Sequence, residues 1–176
     1  MSYEDHAPRW AKRLFFYFFN LLRVSWQWFI WHLIRPTYLV GVYAVVLRKN
    51  RNGGNQVLLV DKRLGISSCL GINLPGGGIT PGMTIEESTK AELRQETGIT
   101  EVKLTLLQAS VVEAYHDIHI VYWGHVEENS HFSPYPKPLD THEISRAFWA
   151  PISYAEEKLP AKQRIMLHTA IRAMSE

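Results

Sequence analysis

Hydrophobic and polar positions divide the chain into an aromatic first run, a strand-rich middle and a helical end. From Leu14 to Ile34 apolar residues dominate, and Arg23 is the one formal charge. Arg9, Arg13, Asn20, Arg23 and Gln27 recur at helical spacing, so the pattern predicts an amphipathic helix over residues 10–34 with a narrow polar stripe. Pro36 ends it, because the residue before a proline avoids the α region. Tyr38 to Leu47 is β-rich and apolar on both faces, the signature of a central buried strand. Asn50 to Asn55 reads as a hairpin turn, Gln56 to Val60 as the next strand and Arg63 to Ser68 as a loop. Cys69 to Leu74 leads into a glycine-rich turn. Further on, Val102 to Tyr115 and Ile118 to Val126 read as strands around His116-Asp117. Residues 128–140, with Pro134, Pro136 and Pro138, form a long loop, which in a compact domain is more often functional than idle. Ile144 to Trp149 is a short strand and Ser153 to Lys158 a short helix. Pro160 opens a last helix, with Ile165, Met166, Ala170 and Ile171 on one face.

The stretch Leu74 to Ile99, LPGGGITPGMTIEESTKAELRQETGI, departs from simple periodicity. A Pro-Gly-Gly-Gly turn is followed by a second turn at Thr80-Pro81-Gly82. A helix then begins near Thr84, with Thr84 as N-cap, Glu87 three residues on, and Gly98 as the left-handed stop. On that helix Glu92 and Glu96 are four residues apart, so their carboxylates share a face, with Gln95 beside them. Leu93 and Ile99 point toward a core. Two carboxylates beside a glycine-rich loop make a site for a hard divalent cation.

The arrangement resembles the Nudix hydrolase box: a Gly, five residues, a Glu, seven residues, then Arg-Glu-apolar-x-Glu-Glu-x-Gly-apolar. Gly77, Glu92, Leu93, Glu96, Gly98 and Ile99 match it. Met83 stands in place of the first Glu, Ala91 in place of the Arg, and Gln95 in place of the first member of the Glu pair. The resemblance implies an α/β fold, a Nudix-type α/β/α sandwich with a mixed β-sheet. The N-terminal amphipathic helix (residues 1–36) precedes that domain (residues 37–176).

The resemblance also implies an activity: hydrolysis of the pyrophosphate bond of a nucleoside diphosphate linked to another moiety, such as a nucleotide sugar, ADP-ribose or a nucleoside triphosphate. It implies Mg2+ or Mn2+ as cofactor. Carried over residue by residue, Glu92, Glu96, Gln95 and the Gly76 carbonyl would hold the metal. Glu92, or a glutamate from a later loop, would act as general base. Gln95 still offers an amide oxygen but removes a negative charge, which weakens metal binding. Loss of the Arg at Ala91 together with the Glu at Met83 leaves no charge unpaired. A catalytically weakened nucleotide-binding or sensor module is the alternative. Against both stands a solvated helix face, the common fate of charge pairs.

Other residues carry weaker signals. Glu113 and Glu143 are candidates for a further carboxylate, and each is more readily structural or solvent-facing. The spacing of His116, His119, His125 and His131 fits no compact zinc site, so surface histidines are expected. Tyr115, Tyr122 and Trp123 could stack a base but sit in strands, where aromatics are more often core. Specificity is expected from residues 63–72 and 128–142.

Composition adds three limits. At 176 residues the chain suits one domain plus an appendage, and 46% apolar content is ample for a core. A net charge of +2 gives no nucleic-acid footprint. The lone Cys69 fits a reducing compartment such as the cytoplasm. The 21 residues Leu14 to Ile34 would just span a bilayer. However, Asn20, Arg23, Gln27 and His32 fall in the body of the run, and its aromatics favour the headgroup boundary. The expectation is therefore peripheral contact with the inner membrane face through residues 10–34. A helix packed on this domain or on a second subunit is the alternative.

Overall fold

The computed structural model describes residues 17–18, 20, 22–23, 25, 38–50, 52–63, 70–112, 117–126 and 136–175. Most of the aromatic run 10–34, Cys69, Glu113, Tyr115, His116 and His131 lie outside them.

Among the described residues, seven strands form one mixed sheet: β1 (Leu39–Lys49), β2 (Asn55–Lys62), β3 (Gly71–Asn73), β4 (Gly76–Gly78), β5 (Thr105–Val112), β6 (Asp117–Val126) and β7 (Ile144–Pro151). The strand order is β3-β2-β1-β6-β5, with β4 added to β1 and β7 to β2. β1 is central: it runs parallel to β6 and antiparallel to β2 and β4. Its apolar character on both faces follows from that position. Ala44 and Val46 face one cluster, with Leu58, Leu93, Ile99 and Tyr122. Val45 and Leu47 face the other, with Leu59, Leu74, Met166 and Leu167. Helix α1 (Ile85–Thr97) covers the first face, while α2 (Ile152–Lys158) and α3 (Ala161–Ser175) cover the second, giving the expected α/β/α sandwich.

The strand bounds expected from the sequence hold to within a few residues; β5 begins at Thr105 rather than Val102, and the expected end at Tyr115 lies outside the described residues. The apolar face of α3 is phased differently. Gln163, Met166, Leu167 and Ala170 are buried, whereas Ile165 is 61% exposed. Leu167 sets the stripe, because its phase lets the Gln163 amide reach a polar partner inside the sheet. His119 also departs from expectation: it is 7% exposed and packs edge-on against Tyr43, ring centroids 5.2 Å apart. Its neighbour β1 covers it, which alternation along β6 alone does not reveal. His125 is exposed, as expected.

Among the described residues, no helix is long and apolar enough to cross a membrane. The six described residues of the aromatic run have helical backbone. Tyr17, Phe18 and Leu22 are half exposed or more, and Asn20 and Arg23 face a cleft.

Candidate active site

The glycine turn is fixed by its neighbours. β4 pairs with β1, Gly76 opposite Tyr43, and the Ala44 N–H donates to the Pro75 carbonyl at 2.9 Å. A Cβ at Gly76 would run into the Val42 carbonyl, so only glycine lets the turn lie this close to β1. Gly77 is needed for a different reason. A Cβ there would sit 2.5 Å from Cδ of Glu92, so the missing side chain is the space that the Glu92 carboxylate fills. From the other side, the buried Gln163 amide accepts from the Leu74 N–H at 2.6 Å and donates to the Asn73 Oδ1 at 2.9 Å.

Helix α1 is set by its ends. Thr84 accepts from the Glu87 N–H and the Glu87 carboxylate accepts from the Thr84 N–H, a complete capping box. Gly98 takes φ 73 at the C-terminus. Beyond it, Lys137 donates to the Thr97 carbonyl, and Leu139 and Asp140 donate to that of Gln95. The proline-rich loop thus satisfies carbonyls that the helix end leaves open. Asp140 in turn accepts from the N–H groups of His142 and Glu143 and places Glu143 at the cleft.

Of the four residues proposed from the sequence as metal ligands, Gly76, Glu92 and Glu96 come together. Glu96 is 3% exposed and its Oε2 accepts from the Gly76 N–H at 2.8 Å. Glu92 lies against Gly77 and is partly buried. Gln95 is exposed. Among the described residues, no group of three or more His, Cys, Asp or Glu side chains is arranged as a metal cluster. Ala91 is partly buried and Met83 is 45% exposed, so neither missing charge is replaced at its own position. Lys90 pairs with Glu86 at 2.6 Å, away from the site.

One charged residue at the centre was not singled out by the sequence. Lys62, the last residue of β2, places its Nζ 2.7 Å from the Gly76 carbonyl and 2.5 Å from Glu96 Oε1. Glu143 Oε1 lies 3.6 Å from the same nitrogen. The register between β2 and β7 shifts at Asp61/Lys62, where Asp61 pairs with Arg146 and Lys62 with Ile144. Such a bulge re-aims a side chain, here into the cleft. The signal that could have found it is a lysine ending a strand otherwise buried along its length.

The site is electrostatically crowded. Burial pushes the Glu96 carboxyl up to about 7, against the pull of the Lys62 ammonium and the Gly76 N–H. Burial also raises Glu92; Lys62 opposes this, while Glu143 and Asp140 add to it. Burial alone would lower Lys62, but Glu96 and Glu143 more than reverse that and leave it raised. The causes differ: burial is the main reason both carboxyls are raised, whereas Lys62 is raised by the carboxylates around it.

A cleft of about 340 Å³ is lined by Tyr43, Lys62, the glycine turn, His119 and Glu143, together with Asn20 and Arg23; Glu92 and Glu96 lie behind the turn rather than on its wall.

A family model described as the NUDIX domain matches residues 37–170. The chain belongs to the NUDIX domain family. Solved structures agree with this fold. The NUDIX domain of Shewanella oneidensis NrtR, complexed with ADP ribose, is similar at TM-score 0.66 and 17% identity, covering 82% of this chain and 96% of that one. A C. elegans Ap4A hydrolase, solved as a binary complex, is similar at TM-score 0.60 and 18% identity, over 78% and 98% of the two chains. A MutT NUDIX hydrolase from Burkholderia pseudomallei gives TM-score 0.58 and 23% identity, over 76% and 98%. A comparison with curated proteins finds no match. In this NUDIX domain α1 carries Glu92 and Glu96, and Lys62 touches the glycine turn.

Proposed function

We propose that this NUDIX domain hydrolyses the pyrophosphate bond of a nucleoside diphosphate linked to another moiety. The observation that carries the reading is the convergence of Glu92 and Glu96 on the Gly76-Gly77 turn at the floor of the cleft. A water oxygen would attack one phosphorus, the bridging P–O bond would break toward the leaving phosphate, and the water proton would pass to Glu92. Burial raises the Glu92 carboxyl, which suits it to take that proton. Arg23 and Lys62 place positive charge along the cleft, where a diphosphate would lie. Tyr43, steadied by the buried His119, lines the cleft where a base or sugar would lie.

The oxygens of Glu92, Glu96 and the Gly76 carbonyl are hard donors of the kind that suit Mg2+ or Mn2+, and the exposed Gln95 amide is not gathered with them. When bound, such an ion offsets phosphate charge and makes water more acidic. The chain's own part is to hold those oxygens in place, through the Gly76 N–H on Glu96 and the Gly77 gap around Glu92.

Incubation with ADP-ribose, nucleoside diphosphate sugars and nucleoside triphosphates, with Mg2+ or Mn2+, tests the reading. Turnover should fall by about a hundredfold or more in Glu92→Gln, the usual contribution of a positioned base, and should also fall in Glu96→Gln. No metal-dependent product from any substrate, or undiminished turnover in Glu96→Gln, would count against it.

The second reading is a nucleotide-binding module without turnover. Ala91, Met83 and Gln95 favour it, since each removes a charge from the expected set. It expects ADP-ribose to bind and remain intact. Activity regained in the combined Met83→Glu, Ala91→Arg, Gln95→Glu variant would support it, and brisk turnover by the natural chain would remove it.

We further propose that residues 10–34 rest on the inner membrane face. The outward Tyr17, Phe18 and Leu22, opposite Asn20 and Arg23, support an apolar face turned from the domain. Deleting residues 1–36 should abolish co-sedimentation with anionic phospholipid vesicles. Sedimentation unchanged by the deletion would end this part of the proposal.

A further inference from the structure

We infer that the Lys62 ammonium is a built-in cation holding the place a divalent ion would take between the Gly76 carbonyl and Glu96. The glycine turn and α1 stay joined without metal, and a metal ion enters only by displacing the lysine. The inference rests on the functional reading above for the kind of ion the site admits.

An ammonium has three donor protons. Lys62 donates to the Gly76 carbonyl at 2.7 Å and to Glu96 on α1 at 2.5 Å, and Glu143 before β7 stands 3.6 Å away as an ion-pair partner. An ion pair that served only to satisfy one carboxylate would not also need the main-chain carbonyl of the turn. A Mg2+ ion sits about 2.0–2.1 Å from its oxygen ligands. An ion on the Gly76 and Glu96 oxygens would fall where Nζ now lies, so the two cations exclude each other. The lysine side chain is 9% exposed and Glu96 4%, which keeps bulk water from replacing either partner. The strand register enforces the arrangement. The shift at Asp61/Lys62 aims the stem at the cleft, and pairing with β3 and β7 holds the backbone on both sides.

Removing the ammonium leaves the oxygens of Gly76 and Glu96 without a cation, with the Glu143 carboxylate beside them. Such a set attracts a divalent ion more strongly than the same set already neutralised in part. The Lys62→Met variant keeps the apolar stem and removes only the charge.

The test uses Mn2+ alone as probe, with the full chain and no nucleotide. Free Mn2+ is read by electron paramagnetic resonance, and thermal unfolding is followed with and without the ion. Lys62→Met should bind Mn2+ at least about tenfold more tightly than the natural chain, in line with the loss of one neighbouring positive charge. Its unfolding midpoint should rise with Mn2+ by more than that of the natural chain. A Met variant that binds Mn2+ no better than the natural chain, or does not bind it, overturns the inference. Should the variant fail to fold, the natural chain decides alone. Saturation only at millimolar Mn2+ supports a resident competitor, and saturation at micromolar Mn2+ overturns it. Absence of turnover on every nucleotide would remove the functional reading and leave this Mn2+ comparison standing.

Discussion

At the scale of single residues, the site depends on what two glycines leave out. Gly77 has no backbone requirement for glycine beyond the space taken by Glu92, whose carboxylate lies 2.5–2.6 Å from where a Cβ would be. The Gly77→Ala chain should therefore fold, since the obstructing atoms are the end of a flexible side chain, yet hold Glu92 out of place. Turnover should drop on the order of a hundredfold, the effect of displacing a reacting group by about an ångström. Circular dichroism melts compared with initial rates would check this, and a variant that loses stability in proportion to activity would refute it. Glu92, Glu96 and the glycine turn were legible because they lie on one short segment whose spacing sets their faces. Lys62 was not. It is 34 residues from Glu96, and their meeting depends on how β2 docks against α1 and on a bulge formed with β7. A lysine at a strand end reads by itself as a solvated terminus.

Among elements, α1 is the one whose limits the sequence states outright. Thr84, Glu87 and Gly98 are local signals, and local hydrogen bonds realise all three. Thr84→Ala should cost about 1 kcal/mol, lowering the unfolding midpoint by roughly 2–4 °C for a chain of this size. The effect carries a pH signature. Backbone and side-chain hydrogen bonds from Thr84 hold the Glu87 carboxyl below its ordinary value of 4.5. A lowered carboxyl contributes stability above its unfolded value and loses it as pH falls through its folded value. The gap between natural chain and Thr84→Ala should therefore narrow in calorimetry below pH 4.5. A gap constant down to pH 3 would show that Glu87 takes no part. Helix α3 shows where such reading fails. Its apolar residues admit two phases, and the choice of Leu167 over Ile165 is made by the sheet it covers and by Gln163.

For the whole molecule, the three core clusters found among the described residues, with the residues packed against them, lie within positions 43–174. The chain without residues 1–36 should thus keep its cooperative unfolding. It should bind ADP-ribose more weakly, since Arg23 is lost from across the cleft. Arg23→Ala in the full chain should reproduce most of that loss, about tenfold for one charged hydrogen bond. Titration calorimetry would read both, and a truncated chain that unfolds without cooperativity would place the helix in the core instead. The sandwich class was readable from the run of elements. The strand order was not, because periodicity gives each strand its faces but not its neighbour.

The Gln163 amide gives the C-terminal helix a say in the chemistry. It grips Leu74 and Asn73 across 89 and 90 positions of sequence, immediately before the turn that carries Gly76. Helix α3 is therefore a latch on the glycine turn. Substituting that amide alone, as in Gln163→Ala, would free the turn from behind, and Glu96 would lose the anchored backbone it holds without itself being altered.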